Sequence, residues 1–521
     1  MQQTVNIALN PKEASSEKDC ILALAKHIGI IPERIKKIRI LKKSIDARHR
    51  DISINMNFQV FIDEVPELIE KPNFEYQFIG NKEPVIIVGA GPAGIFAALR
   101  LIELGFKPVI LERGKDVSER KKDIAILCRE NIVNPESNYC FGEGGAGTFS
   151  DGKLYTRSNK KGNLQKVYEI FNFHGAPDEI LYEAHPHIGT DKLPEIIKNI
   201  RSTILNCGGE INFNCRVDGL KIESGKVKGV FVHNGTIYKS KAVILATGHS
   251  ARDIYKKLYE NNVLLEAKTF AMGVRVEHPQ ELIDNIQYHG NQYKEYLPAA
   301  TYNLAEQVAG RGVFSFCMCP GGFVIPSTTA QNQVVTNGMS ASNRNSPFAN
   351  SGIVVEIKTE DLNPYNNHGV LAGIAFQENL ENIAWQNGGR SQVAPVQRLA
   401  DFINNRKSSE LPKVSYFPGV VSSPLHHWLP EIISQSLKEG FKKFNNKMYG
   451  FNTNEAIIIG VETRTSSPVR IPRNKETFCH TSLKGLYPCG EGAGYAGGIA
   501  SSAMDGENCA EKVAMALKNN L

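Results

Sequence analysis

The chain lacks the features of secreted, disulfide-stabilised and metal-binding proteins. Its ten cysteines are scattered through 521 residues, and only Cys317 and Cys319 lie close together. No pair of CxxC motifs and no group of His, Cys and carboxylates has ligand spacing, so we expect no metal site. Polar residues follow Met1, whereas a signal peptide begins with a basic and then an apolar stretch. These absences favour a cytoplasmic protein with mostly free thiols.

An excess of one charge and a long hydrophobic run are also missing. Lys and Arg number 60 against 54 Asp and Glu, and the net charge of +6 is slight for this length. Composition therefore does not indicate a dedicated nucleic-acid binder. The apolar window 84–105 contains Arg100, Glu103 and four glycines, which fits a strand, a tight turn and a helix better than a membrane span. We expect no membrane association and three or four domains, at roughly 150 residues each.

The first 82 residues predict a small α+β module. Strand-like alternation begins at Thr4, apolar residues then recur at helical spacing over 21–28, and strict period-two alternation runs over 52–62. Residues 33–50 hold eight basic side chains against Glu33 and Asp46, and eight minus two leaves a local charge of +6. Such a patch suits RNA phosphates, but the sequence favours a solvated strand face.

A dinucleotide-binding fingerprint follows this module. The apolar run 85–88 predicts a buried parallel strand, and Gly-Ala-Gly-Pro-Ala-Gly comes directly after it. Gly89 permits the tight turn, Gly91 the approach of a pyrophosphate, and Gly94 close packing of helix on strand. The helix N-terminus offers N–H groups to the phosphates, and Glu112, ending the next strand, is placed for a ribose diol. The predicted binding residues of this unit are Gly89, Gly91, Pro92, Ala93, Gly94, Glu112 and Arg113.

The rest of the sequence predicts an α/β domain with a long insertion. An apolar strand over 242–247 ends at Gly248, and residues 485–521 indicate a strand, a Gly-rich turn and a helix. Residues 266–464 between them show many short strand patterns and few long helical ones. We predict a doubly wound, Rossmann-like domain at 83–265 and 465–521, interrupted by a mixed α+β substrate domain at 266–464.

Several motifs resemble a known family. The fingerprint, the Ala-Thr-Gly strand end at 246–248 and the segment 487–491 resemble FAD-binding flavoproteins of the glutathione-reductase-like superfamily. More narrowly, the segments 142–153, 185–191, 317–322 and 461–470 resemble the largely uncharacterised bacterial family of FAD-dependent dehydrogenases, or NAD(P)/FAD-dependent oxidoreductases. The resemblance covers nearly the whole chain, including the N-terminal module.

The resemblance implies FAD as the cofactor and places further residues against it. A Gly-rich loop after residue 141 would press on the flat ligand, and a strand near residue 217 would present its backbone to the adenine. The segment 490–491 would contact the ribityl or pyrophosphate region, and the helix that begins near 497 would point its positive end at the flavin ring. The residues implied in this way are Gly144, Gly145, Val217, Thr247, Gly248, Gly490, Glu491, Gly497, Gly498 and Ile499.

Candidate catalytic groups lie just before the last part of the chain. Arg464 and Arg470 are suited to bind a substrate carboxylate, and Glu462 to act as an acid or base. The alternative for these three residues is a structural ion pair at a domain joint. Cys317 and Cys319 are interpreted as two buried free thiols, because a disulfide between cysteines so close in sequence is strained.

These features predict an FAD-dependent oxidoreductase that acts on an unidentified small molecule by hydride transfer at the flavin N5. No second Rossmann start is present, so any NAD(P)H donor would dock transiently. Two alternatives remain open: a flavin-dependent RNA-modifying protein that uses the basic N-terminal residues, and a flavin sensor without turnover. We expect no nucleic-acid partner, and the sequence leaves the oligomeric state open.

Overall fold

The N-terminal residues form a three-stranded antiparallel sheet with one long helix. The computed structural model describes residues 1–65, 72–156, 162–290 and 293–519. Ser16 caps the long helix at its start, and Gly29, in the left-handed conformation, ends it. The elements are β1 (Gln2–Leu9), α1 (Pro11–Ala14), α2 (Glu17–Ile28), β2 (Ile35–Asp46) and β3 (Ser53–Ile62), with the strand order β1-β3-β2. The predicted α+β module is therefore present.

A parallel sheet with helices begins at residue 84. The predicted strand, tight turn and helix of the fingerprint are its first elements. The elements up to residue 260 are β4 (Pro84–Val88), α3 (Pro92–Glu103), β5 (Lys107–Leu111), α4 (Val117–Glu130), α5 (Leu164–Phe173), α6 (Leu193–Asn206), β6 (Glu210–Asn212), β7 (Val217–Glu223), β8 (Lys226–Val232), β9 (Ile237–Lys239), β10 (Val243–Leu245) and α7 (Arg252–Glu260). Strands β7, β8 and β9 form a separate antiparallel sheet.

The next two hundred residues are built on a seven-stranded mixed sheet. Its strand order is β13-β14-β17-β12-β20-β18-β19. The elements are β11 (Glu266–Ala267), β12 (Phe270–Pro279), α8 (Gln280–Gln287), β13 (Ala305–Val308), β14 (Arg311–Cys319), β15 (Gly322–Pro326), β16 (Thr336–Ser340), β17 (Phe348–Ile357), α9 (Ala372–Asn387), β18 (Ala394–Arg398), α10 (Leu399–Ile403), β19 (Val420–Ser422), α11 (Leu425–Trp428), α12 (Glu431–Lys447) and β20 (Ile457–Glu462).

This region differs from its predicted pattern of short strands and few helices. Strands β12 and β17 have ten residues each, and helices α9 and α12 have 16 and 17. Nine of the ten residues of β12 are buried, including Arg275, Glu277 and His278. A strand covered on both faces loses the alternation that marks a half-exposed strand, and its buried charges break the apolar run as well. Sequence patterning therefore underestimates such strands.

The last part of the chain completes the parallel sheet. The elements are β21 (Val469–Arg470), β22 (Leu486–Pro488) and α13 (Ile499–Lys518), and the sheet order is β22-β10-β4-β5-β6. All its neighbouring strands are parallel, so their carboxyl ends meet at one edge, where α/β sheets bind ligands. This confirms the doubly wound fold.

The N-terminal module contacts both larger regions. The backbone of Lys43 in β2 exchanges hydrogen bonds with Tyr182 and Ala184, at 2.9 and 3.0 Å. Ile52 is buried in the core of the mixed-sheet region. These contacts hold the module beside the segment 182–187. Among the described residues, no helix has both the length and the apolar composition to cross a bilayer.

Candidate functional site

A cavity of about 1100 Å³ opens at the carboxyl edge of the parallel sheet and extends to the mixed-sheet region. It contains most of the residues that the sequence predicts to bind the cofactor. Gly94 and Gly144 lie behind its wall. The predicted residues that line it are Gly89, Gly91, Pro92, Ala93, Glu112, Arg113, Gly145, Val217, Thr247, Gly248, Gly490, Glu491, Gly497, Gly498 and Ile499.

The turn between β4 and α3 has the geometry that the fingerprint requires. Gly89 has a φ of +104°, and a Cβ there would lie 2.5 Å from the Ala246 carbonyl oxygen. A Cβ at Gly94 would overlap the carbonyl oxygen of Gly89. At Gly91 the only atom within 4 Å of an added Cβ is the Cα of Gly145, at 3.8 Å. Gly89 and Gly94 therefore serve the fold, whereas Gly91 keeps space open in the cavity.

Glu112 organises this edge of the cavity through its carboxylate. The side chain accepts backbone N–H groups of Ala90 at 2.8 Å, Gly114 at 2.9 Å and Gly142 at 3.0 Å. A carboxylate has about four acceptor sites, so these bonds leave capacity for a ribose hydroxyl. Arg113 beside it is held by Glu136 and Asp253, each at 3.0 Å. Both residues therefore have fixed positions at the predicted adenosine end.

A buried arginine that sequence reasoning missed fixes the Gly-rich loop. Arg120 in α4 is fully buried and donates to five backbone carbonyl groups between residues 138 and 145, at 2.8–3.3 Å. Burial lowers the pKa of Arg120 to about 10, against the nearby charge of Glu112, so it stays charged at neutral pH. The loop brings Gly145 against Gly91 at the wall of the cavity. Arg120 lies in the first turn of α4 and belongs to no recognised motif, so no local signal identifies it.

The turn after β22 is held by a cluster of buried polar groups. Asp505 in α13 accepts the Gly490 N–H at 2.7 Å and an ion pair from Arg473 at 2.6 Å. Cys489, Asp505 and Cys509 have ligand atoms within 4.8 Å of one another, a grouping that sequence spacing did not indicate. The Arg473 guanidinium donates to Cys509 at 3.3 Å as well. The Arg473 guanidinium already binds both Asp505 and Cys509. The cluster is therefore better explained as a support for the Gly490 backbone than as a metal centre.

The start of α13 provides an open cradle with a positive end. A Cβ added at Gly497 or Gly498 would meet no atom within 4 Å, and the same holds for Gly248. Gly498 caps a helix of 20 residues that has no acidic residue in its first turn. Unpaired N–H groups and the helix dipole favour an anion or a polarised carbonyl here. These observations fit the predicted contact with a flavin ring.

Glu491 is a titratable group of the cavity wall. Burial raises the pKa of Glu491 to about 7, and the charge of Lys268 opposes the shift. His249 Nε2 lies 3.9 Å from the Glu491 carboxylate. Burial and the charge of Arg464 lower the pKa of His249 to about 3. His249 is therefore neutral at physiological pH and forms no ion pair with Glu491, which leaves the Glu491 carboxyl available for a ligand hydroxyl.

Glu462 does not line the cavity. It is buried and forms an ion pair with the fully buried Arg275, at 3.1 Å. The same guanidinium donates to Asn350 at 2.8 Å and to the Cys317 carbonyl at 2.6 Å. Glu462 thus stabilises the wall from behind. This placement favours the structural alternative over the predicted acid–base role.

Arg464 lines the cavity, but its donors are engaged. Glu381 in α9 accepts Nε at 3.1 Å and Nη2 at 2.9 Å, and Thr329 and Gln333 accept further N–H groups at 2.9 and 3.0 Å. Glu381 also binds Arg252 of α7 at 2.6 Å. Arg252, Glu381 and Arg464 form a buried clamp between the two larger regions. A bidentate substrate contact from Arg464 would have to displace Glu381.

Arg470 lies outside the cavity wall. It belongs to β21, which pairs with β11, and its guanidinium lies 5.7 Å from the ring centroid of Tyr495. The predicted role in substrate binding has no support in this position.

The two neighbouring cysteines differ in exposure. All ten cysteines are free; Cys319 is buried, whereas Cys317 is exposed and lines the cavity. The expectation of two buried thiols is wrong for Cys317, because β14 bulges between Phe316 and Cys319 and turns this side chain outward. The enclosing walls raise the pKa of the Cys317 thiol to about 12, with Lys153 opposing. The thiol is neutral at physiological pH.

Apart from Cys317, the far end of the cavity consists of residues that the sequence analysis did not select. Motif reasoning favours Gly-rich turns, whereas this wall is assembled from distant segments. We call it the far wall, and its polar members include Asp151, Lys153, Tyr155, His185, Cys317, Asn337 and Arg344. The family resemblance of the segments 142–153, 185–191 and 317–322 was a sequence signal for Lys153, His185 and Cys317, and no sequence signal indicated Tyr155, Asn337 or Arg344.

Three family profiles match successive parts of the chain. They are a domain of unknown function at residues 1–61, Pyridine nucleotide-disulphide oxidoreductase at 83–275, and FAD-dependent protein, C-terminal domain-like, at 269–465. The last two cover most of the walls of the cavity described above, and the wall residues between 489 and 502 lie beyond both.

Relatives of two kinds share sequence with the chain. An uncharacterised protein of Clostridium beijerinckii is 42% identical over 509 residues, which are 94% of each chain. The tRNA uridine 5-carboxymethylaminomethyl modification enzyme MnmG of Geobacillus kaustophilus is 27% identical over 174 residues, 32% of this chain and 24% of the relative. The chain thus spans only about a quarter of such enzymes.

Solved flavoprotein structures resemble the chain more remotely. CtdE in complex with FAD is 12% identical with a TM-score of 0.33, covering 84% of this chain and 85% of that one. L-proline dehydrogenase from P. horikoshii is 12% identical with a TM-score of 0.35, covering 84% and 94%. No conclusion about activity follows from TM-scores this low.

The profiles and the cavity agree on the cofactor. The two profiles match most of the segments that form the cavity, and its open glycine cradle fits a dinucleotide. The predicted FAD cofactor is confirmed. Because a relative is 42% identical over 94% of the chain, the chain belongs to a bacterial family of FAD-dependent oxidoreductases.

Proposed function

We propose that the protein oxidises or reduces a small molecule bound between the FAD site and the far wall. The observation that carries this proposal is the continuity of the cavity. One space of about 1100 Å³ joins the glycine cradle to the far wall, and pockets for drug-sized ligands span roughly 300–1,000 Å³. A cofactor and a small substrate can therefore lie in contact.

Bound FAD supplies the hydride acceptor or donor at its N5 atom. The protein's own residues supply position and electrostatics. The α13 N-terminus stabilises negative charge on a ligand near Gly498, and Glu491 binds a hydroxyl group of a ligand. The clamp of Arg252, Glu381 and Arg464 fixes the mixed-sheet side of the cavity relative to the parallel sheet. NADH or NADPH is proposed as a transient electron donor.

We further propose the domain division 1–82, 83–265, 266–464 and 465–521, and a cytoplasmic location. Elements from before and after the seven-stranded sheet share the parallel sheet, which supports the discontinuous division. Ten free cysteines support a reducing compartment.

The test is an anaerobic titration of the purified yellow protein with NADH and with NADPH, followed by a panel of small-molecule acceptors. We expect flavin bleaching by one donor and reoxidation by an organic acceptor. Colourless protein that takes up no added FAD would contradict the cofactor site. Flavin that no donor and no substrate reduces would favour a sensor without turnover.

A further inference from the structure

The far wall carries a cation on a rigid piece of backbone. Leu154 donates its N–H to the Pro186 carbonyl at 2.9 Å, and Ile188 donates to the Gly152 carbonyl at 3.1 Å. The Leu154 side chain is fully buried in the core below. Because neighbouring residues of an extended segment point to opposite sides, Lys153 is directed away from that core, and it lines the cavity.

The charges around Lys153 do not balance. The carboxylate of Asp151 is held by Arg344, with Nε at 3.1 Å and Nη2 at 2.6 Å. Lys153 Nζ lies 3.9 Å from the same carboxylate. Asp151 is 3% exposed, and although burial alone raises its pKa, Arg344 and Lys153 outweigh that effect and lower it. Among the groups that line the cavity here, two cations thus face one committed anion, which leaves one positive charge on this wall. Glu183, which also interacts with Arg344, lies outside the lining and interacts more strongly with Lys43.

The other titratable groups at this wall are neutral at physiological pH. Burial lowers the pKa of His185, and burial together with Arg344 lowers that of His187 behind it. The Cys317 thiol is protonated, since the enclosing walls of the cavity raise its pKa to about 12. Asn337 and Tyr155 add dipoles without charge. Among the described residues of the far wall, no second carboxylate compensates Lys153.

We infer that Lys153 binds a carboxylate of the substrate, so that the substrate of the proposed oxidoreductase is an organic acid. This inference rests on the proposed function. A single unbalanced positive charge in a partly enclosed cavity matches one carboxylate, whereas a phosphate carries nearly two charges. This inference also replaces the predicted carboxylate-binding residues. Arg464 is already bound to Glu381 and Arg470 lies outside the cavity wall, so Lys153 takes their predicted role.

The experiment titrates FAD-loaded protein with acetate, benzoate, their uncharged amides and phenyl phosphate, and follows the flavin difference spectrum. We expect the carboxylates to bind more tightly than acetamide and benzamide. Replacement of Lys153 by Met should weaken carboxylate binding by at least about tenfold, as loss of a charged hydrogen bond does. Lys153→Arg should restore most of it, because charge is retained. The matched control is Lys192→Met, since this exposed lysine lies nearby without lining the cavity.

The outcomes separate this inference from the proposed function. Protein without flavin, or with flavin that nothing reduces, fails the proposed function before any ligand is added. Normal flavin content with carboxylate binding that is undetectable, equal to amide binding or unchanged in Lys153→Met overturns the inference alone. Tighter binding of phenyl phosphate than of benzoate overturns the carboxylate assignment. A Lys153→Met protein that loses FAD, or whose flavin spectrum shifts without ligand, would assign Lys153 to the cofactor instead.

Discussion

Gly91 and Gly94 lie one turn of helix apart and do different work. A side chain at Gly91 would project into the cavity, where only the Gly145 Cα lies within 4 Å of an added Cβ. A side chain at Gly94 would collide with the backbone of Gly89, and no rotamer relieves a clash of Cβ itself. Cofactor binding and folding are therefore separable by single substitutions in one turn.

We predict that Gly91→Val folds but does not retain FAD. Valine would occupy the space that the pyrophosphate requires. The φ of Gly91 is −75°, a value that any residue can adopt, so the backbone tolerates the substitution. The measurements are flavin absorbance of the purified protein and far-ultraviolet circular dichroism. The matched variant Gly94→Val should lose the fold as well. Full flavin occupancy in Gly91→Val would place the cofactor elsewhere.

At the residue scale, the sequence predicts the residues whose role depends on a local backbone turn. It does not predict the residues whose role depends on side-chain contacts with distant parts of the chain. A turn such as 89–94 is local, so its function is visible in six consecutive letters. Glu462 finds its partner Arg275 at a distance of 187 residues along the chain, and no spacing rule links them. The environment of Lys153 likewise depends on Arg344, a residue of a distant loop that forms an ion pair with the neighbouring Asp151.

At the scale of elements, helices α7 and α9 are joined by two ion pairs that differ in burial. Arg252 and Glu381 are nearly or fully buried, and Arg464 completes this clamp. Lys256 and Glu378 pair on the same two helices, with side chains 49% and 33% exposed. Both ion pairs connect the same two helices, so a comparison of the two shows how burial changes the contribution of an ion pair to stability.

We predict that Glu381→Gln lowers the free energy of unfolding by about 3–5 kcal/mol, since two buried guanidiniums lose their counter-charge. Glu378→Gln should cost less than about 1 kcal/mol, as exposed pairs do. Burial alone raises the pKa of Glu381, but Arg252 and Arg464 outweigh it and hold the pKa well below its ordinary value of 4.5.

The pH dependence of this prediction follows from that shift. The stability that ionised Glu381 contributes is full above about pH 4.5, the unfolded value, and decreases as the pH falls toward the folded value. Urea unfolding of wild type and both variants at neutral and acid pH checks this. A Glu381→Gln protein as stable as Glu378→Gln, or a gap that widens with acid, would contradict it.

The sequence predicts a strand where one face of the strand is exposed, or where a short apolar run ends at a turn motif. Strand β3 alternates strictly and was predicted from its pattern, and β4 was predicted from its apolar run. Strand β12 was not, because Arg275 and Glu277 are buried within it and interrupt its apolar pattern. Their partners lie on other strands and loops, so sequence patterning alone cannot show that they are satisfied.

At the scale of the whole molecule, the N-terminal module is a packed part of the structure. Its charge excess is smaller at the surface than in the sequence. Arg34 pairs with Asp63, Lys37 with Glu17 and Arg48 with Asp46. Lys43 is half-buried where β2 meets the segment 182–184. An RNA track would need a row of unpaired cations that continues toward the cavity, and the described ion pairs interrupt it.

We therefore predict that the protein does not bind tRNA specifically, although MnmG, a tRNA-modifying enzyme, shares part of its sequence. At physiological salt the dissociation constant should stay at about micromolar or weaker, the background of any basic surface. Replacing Lys36, Lys37, Lys42 and Lys43 together by Gln should leave flavin content unchanged and alter this weak binding only slightly. Fluorescence anisotropy with labelled tRNA at several salt concentrations measures both quantities. A nanomolar, strongly salt-dependent complex that the quadruple variant abolishes would contradict the prediction and make the basic strand β2 an RNA-binding surface.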